Sequence, residues 1–200
     1  MISASRVQAC LAFLLLVGLG TAGRLYFETP NFTPLAAVAL FAGYYFRHRL
    51  IAVAVPLFTL ALSDLFMSRH ASWGVMVTVY LALCFPVLLG CWLRAPRSTF
   101  AQLPLRTAAA LLLPSLVFYL STNLAVWFFD TLYPTTAAGL AACYVQALPF
   151  YRWFLQGDLL FIPLVFGAYL ASSRLVAATK VRWLEELSAP WQTVASKVSS

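Results

Sequence analysis

The sequence predicts an all-α, polytopic membrane helix bundle of six transmembrane helices, with a short interfacial or re-entrant helix on its outer side. Three observations predict it. The first is composition: 62% of the 200 residues are hydrophobic, only 10% are charged, and mean hydropathy is +0.86. A soluble domain carries about 25% charged residues, so this chain has too little polar surface to face water. The second is a set of six apolar runs. About 20 apolar residues cross a bilayer core of about 30 Å as a helix. The third is the absence of a period-two pattern, since a closed barrel is the only spanning alternative to helices in lipid. Together they exclude a soluble enzyme, a disordered chain and a nucleic-acid-binding module, despite a net charge of +7.

The first run is Val7 to Gly23. Arg6, the apolar stretch and Thr21-Ala22-Gly23 also fit a signal peptide; the reading adopted is an uncleaved span. The second, Thr33 to Phe46, is short. A short span thins the bilayer or stops below one interface. The third is Leu50 to Met67, the fourth Trp73 to Leu93, the fifth Thr107 to Phe129, and the sixth Trp153 to Ser172. Between the last two, Pro134 and Pro149 bracket a helix-permissive stretch, Thr136 to Leu148, which is the expected outer helix. Residues 1–173 therefore form the transmembrane domain and 174–200 a cytoplasmic tail. In that tail Trp183, Leu187, Trp191 and Val194 recur at helical spacing, as in a surface-lying amphipathic helix, and Pro190 should bend it.

Arginine and lysine set the orientation. With a cytoplasmic amino terminus, Arg6, Arg47, Arg49, Arg94, Arg97, Arg106, Arg174, Lys180, Arg182 and Lys197 lie inside, against Arg24, Arg69 and Arg152 outside. The bias places both termini in the cytoplasm and reads the basic balance as a topology signal.

The four cysteines are scattered without a Cys-x-x-Cys pair, and both histidines sit at span ends. Zinc needs three or four clustered ligands, so no metal site and no cofactor are expected.

Depth along the spans then singles out residues. Asp64 lies near the outer end of span three, Asn123 about 9 Å deep in span five, and Asp158 about 7 Å below the start of span six at the helical rise. A carboxylate among lipid tails costs at least about 2.5–3.5 kcal/mol, so such residues face the bundle interior or a wet cavity. The alternative is that the aspartates cap helices or pair with arginine. Ser115, Tyr119, Thr122, Asn123 and Trp127 fall on one helical face; it either packs by interhelical hydrogen bonds or faces a ligand. Pro56, Pro86, Pro114 and Pro163 interrupt spans three to six and favour kinks that open room between helices. In Asn31-Phe32-Thr33-Pro34, Thr33 can cap the second span with Pro34 as its first residue. Small-residue runs such as Ala39-x-x-x-Gly43 permit close helix contacts.

The chain resembles an uncharacterised family of six-span bacterial membrane proteins, known as a domain of unknown function. The resemblance runs from about Tyr26 to Tyr169. It rests on Asn31-Phe32-Thr33-Pro34-Leu35, Leu62-Ser63-Asp64-Leu65-Phe66, Thr122-Asn123 followed by Trp127, and Tyr133-Pro134-Thr135-Thr136. Cys143-Tyr144, Leu148-Pro149-Phe150 and Gly157-Asp158-Leu159 continue it. More distantly the family is similar to the S components of energy-coupling-factor transporters, which are six-helix proteins. That likeness implies a ligand held near the outer face, an energy-coupling ATPase module as partner, and the inner membrane of a bacterial cell.

The leading expectation is a small-solute binding or uptake protein. Asn31, Asp64, Asn123, Arg152 and Asp158 would orient the ligand, and Trp127, Tyr133 and Tyr144 would supply apolar or stacking surface. Four acids and three arginines on the outer side favour a neutral or zwitterionic ligand over a strong anion. One alternative is a structural or assembly subunit of a membrane complex. Another is an intramembrane aspartyl enzyme, in which two carboxylates share a proton.

Overall fold

The computed structural model describes residues 4–27, 29–67, 72–95 and 103–198, with side chains at 6–27, 29–67, 72–95 and 104–179. Six helices follow in order: α1 (Ala4–Tyr26), α2 (Leu35–Tyr45), α3 (Arg49–Asp64), α4 (Trp73–Leu93), α5 (Leu103–Phe129) and α6 (Ala137–Val198). No strand occurs among the described residues. Four helices contain segments long and apolar enough to cross a membrane: Arg6–Tyr26, Trp73–Leu93, Pro104–Phe129 and Ala137–Thr179. The outer faces agree with that solvent. Along α5, Leu112, Leu116, Leu120, Leu124 and Phe128 form an exposed stripe at i+4 spacing, a surface that suits lipid tails.

α2 is the hub. It has only 11 residues, yet every one from Leu35 to Gly43 is buried. An all-round apolar helix belongs in a core, and α1, α3, α4 and α5 each pack on it. The closest approach is to α4. A side chain on Gly43 would strike the Val87 carbonyl, and one on Gly90 would strike the Leu40 carbonyl. Each helix thus lends a glycine to the other's backbone, the small-residue packing expected around Gly43.

Two arginines, Arg94 and Arg106, tie off helix ends. Arg94 donates to the Phe46 carbonyl and, at 3.5 Å, to that of Tyr44, where α2 stops. Arg106 donates to the carbonyls of Trp92 at 3.3 Å and Ala95 at 3.2 Å, and lies over the Trp92 ring at 4.8 Å. Cations at helix carboxyl ends satisfy orphan carbonyls and complement the dipole. These arginines therefore have a structural role.

Two local expectations are corrected. Thr136 to Leu148 is not a separate outer helix, because from Ala137 it opens α6, and the helix passes through Pro149. Thr33 does not cap α2. Pro34 occupies the cap position with φ −78° and ψ 8°, no side chain accepts from the first turn, and α2 starts at Leu35.

The described residues up to Pro163 form one compact unit, and those from Leu164 form a second. In the second unit Leu170, Leu175 and Val176 are exposed. The side chains of the expected tail stripe, Trp183 to Val194 with Pro190, lie outside the described residues, as do Arg69 and Arg97.

Candidate functional site

The segment between α1 and α2 carries most of the polar chemistry. Phe32 N–H donates to the Thr29 carbonyl at 3.2 Å, turning the chain. Asn31 follows at φ 65°, a left-handed conformation that asparagine tolerates better than most residues. Aromatic rings pin the segment to α6: Phe27 and Phe32 meet Phe161 at centroid distances of 5.5 and 5.3 Å. Gly157 allows the approach, since a Cβ there would lie 3.3 Å from the Thr33 carbonyl oxygen.

Behind this segment is a cavity of about 300 Å³. Its polar wall is Arg24, Thr29, Asn31 and Thr33, all from one stretch of chain. Its remaining wall is apolar and includes Phe27, Leu35, Leu60, Val79, Leu83, Phe118 and Phe154. A smaller cavity of about 100 Å³ lies alongside, lined by Asn31, Ser115, Tyr119, Thr122, Asn123 and Tyr151 among others. Asn31, Phe118 and Phe154 belong to both walls.

An ion pair anchors the polar end of the larger cavity. Arg24 Nη1 reaches Asp64 Oδ1 at 2.5 Å and Ser63 Oγ at 2.7 Å. Tyr80 donates its phenol proton to Asp64 Oδ2 at 2.9 Å. Asp64 thus fixes the guanidinium that lines the cavity.

Asp158 has the opposite environment. It is 1% exposed, and among the described residues neither carboxyl oxygen has a hydrogen-bond partner. Ser115 is its polar neighbour, but the Ser115 hydroxyl donates to the Leu112 carbonyl at 3.2 Å. Asp158 is not on either cavity wall; it adjoins the smaller one through Ser115.

Of the residues the sequence singles out, Asn31 and Asn123 line cavities, and Asp64 and Asp158 adjoin them. The polar face of α5 lines the smaller cavity through Ser115, Tyr119, Thr122 and Asn123. Asn123 and Thr122 also bond back to carbonyls one turn earlier. The remaining four are placed elsewhere. Trp127 donates to the Pro134 carbonyl, Tyr133 to Gln146 Oε1, and Tyr144 to the Leu120 carbonyl, so these three fasten the α5–α6 connection. Arg152 is exposed and lies over the Trp153 ring at 5.3 Å rather than against Asp158. Sequence reasoning missed Arg24, Phe118 and Phe154. The signal for Arg24 was its position at the carboxyl end of span one, level with Asp64 at the carboxyl end of span three. Among the described residues no group of three or more His, Cys, Asp or Glu could hold a metal ion.

A helical bundle with four long apolar helices and a lipid-compatible exterior is the architecture of a membrane protein. The chain belongs to a family of unknown function (DUF6580), whose family model matches residues 4–180. No curated protein and no solved structure matches it.

Proposed function

We propose that the protein binds a small solute in the outer half of a six-span bundle and serves its uptake across a bacterial inner membrane. Both termini are taken as cytoplasmic. The observation that carries this reading is the cavity of about 300 Å³ with one polar and one apolar wall. Ligand sites are clefts of about 300–1,000 Å³, mostly apolar, with a few convergent polar groups. The positive-inside bias supports the orientation, and it puts Arg24, Asn31 and Asp64 on the outer side. α2 and α3 are short for spans, and the burial of α2 within the bundle makes its brevity tolerable. An S-component-like mechanism adds an energy-coupling ATPase module as partner.

The test is mass spectrometry of solute and protein that copurify with the detergent-solubilised chain. A bound small molecule that is lost when Leu83→Trp fills the cavity supports the reading. Copurifying ATPase subunits support the uptake mechanism. A chain that is empty in both forms and stabilised by no small solute overturns it.

A further inference from the structure

We infer that the larger cavity takes a monocarboxylate with a compact apolar body, its carboxylate on the free edge of Arg24 and its body against Phe27, Phe118 and Phe154. The inference deepens the solute-binding reading and rests on it. Three observations carry it.

The first is charge. Among the described residues of the cavity wall Arg24 is the one that carries a charge, and no described carboxylate lines it. Asp64 is bound to Arg24 without itself being a wall residue. A ligand in the cavity therefore meets a cation first.

The second is donor geometry. Both hydrogen bonds from Arg24 leave from Nη1. A guanidinium has five N–H groups in a fixed fork. Nε and Nη2 make no hydrogen bond to any described residue, so that edge can accept a carboxylate in two parallel bonds. Asp64 and Ser63 hold the fork in place from the other side and act as positioning residues. Because Asp64 already balances one charge, the pair suits a single carboxylate and disfavours a polyanion such as phosphate.

The third is shape. Every described wall residue outside the stretch from Arg24 to Thr33 is apolar. Phe118 and Phe154 stack at 4.6 Å with a 28° interplanar angle, and offer a flat surface to an aryl or short acyl group. A volume of about 300 Å³ is at the small end of ligand sites, too small for a carboxylate with a long chain. Asn31 and Thr33 add hydrogen-bonding groups beside Arg24.

The experiment is equilibrium dialysis of the full-length protein in nanodiscs at neutral pH. The probes are 3-phenylpropionate, benzoate and hexanoate, each against its primary amide. At least one acid should bind more tightly than its amide by roughly tenfold or more, the scale of a charge-assisted hydrogen bond. The double variant Arg24→Gln/Asp64→Asn keeps a hydrogen-bonding pair without leaving a lone charge. It should fold and lose the preference for acid. Leu83→Trp should remove binding of acid and amide alike. An aryl preference over hexanoate would assign an aromatic body, and the reverse a short acyl body. Acid and amide binding equally, with both blocked by Leu83→Trp, would overturn the carboxylate inference and leave solute binding standing. So would a copurifying solute without a carboxylate that Leu83→Trp displaces. No acid bound and no solute retained would overturn both.

Discussion

Phe118 of α5 and Phe154 of α6 stack with ring centroids 4.6 Å apart, and together with Asn31 the pair bounds both cavities. The pair is a partition. On one side are Arg24, Thr29 and Thr33; on the other is the polar face of α5, and Asn31 touches both. Phe154 is 5% exposed and belongs to the core cluster with Leu35, Leu60, Val79, Leu83 and Ala125, so it also stabilises the bundle.

Phe154→Ala should merge the two cavities. The loss of a buried ring and the void it leaves should destabilise the protein by about 3 kcal/mol or more. Thermal denaturation in detergent measures that cost. Solute selectivity should widen toward larger molecules in the same preparation. A variant of unchanged stability would show that the ring is not a core element.

Gly43→Ala or Gly90→Ala should damage the packing of the hub helix. In each case the new Cβ meets a backbone carbonyl of the facing helix. A backbone atom cannot rotate away, so α2 and α4 must separate. Overpacking costs about 1–3 kcal/mol and sometimes more, and here it falls on the hub helix. Low yield of monodisperse protein and a lowered Tm are the expected readouts. The control is Gly18→Ala, where an added Cβ meets nothing within 4 Å.

Arg94→Gln should loosen the carboxyl end of α2. Arg94 serves the Phe46 and Tyr44 carbonyls, and an amide can replace only part of that. Losing a hydrogen bond from a charged donor costs about 1.5–3 kcal/mol. The Tm should fall, while solute binding at the opposite end of α2 should change little in the folded fraction. A large binding defect at unchanged stability would contradict a capping role.

The contrast between helices and pairings shows what the sequence could reveal. Apolar runs gave the fourth span with both ends correct and the fifth to its final residue, because composition alone selects helices in lipid. Pro149 misled because its cost is visible in sequence, whereas the packing that outweighs it is not. Tyr144 and Phe154, on either side, are held by Tyr119, Leu120 and Phe118 of α5. Pairings were least legible. Asp64 meets Arg24 across 40 residues, whereas Asp158 meets no arginine among the described residues although Arg152 is close to it in sequence. Depth along a span can be counted, but rotation about the helix axis, which selects partners, is set by tertiary contacts.

Orientation is testable by labelling single cysteines in a background with Cys10, Cys84, Cys91 and Cys143 replaced. A cysteine at His48, between α2 and α3, should react only in permeabilised cells. One at Thr135, between α5 and α6, should react in intact cells. The reverse pattern would put the Arg24 cavity on the cytoplasmic side and undo the uptake reading.

Asp158 supplies the sharpest separation of stability from function. A buried polar group without a hydrogen bond costs roughly 1–3 kcal/mol, more if charged. Little in its described surroundings offsets that cost: Ser115 is the polar group beside the carboxyl, and its hydroxyl donates to the Leu112 carbonyl. An apolar side chain of similar shape should therefore be the better structural choice. Asp158→Leu is expected to raise the Tm in detergent. If the carboxyl group serves the solute site through Ser115, the same substitution should weaken solute retention while the protein becomes more stable. Asp158→Asn leaves an unsatisfied polar group in place, so it should gain little stability. A fall in Tm for Asp158→Leu would mean that the carboxyl group has a structural partner, and the stability argument would be wrong. A rise in Tm with unaltered solute retention would remove Asp158 from the binding machinery and leave Arg24 and Asn31 as its polar core.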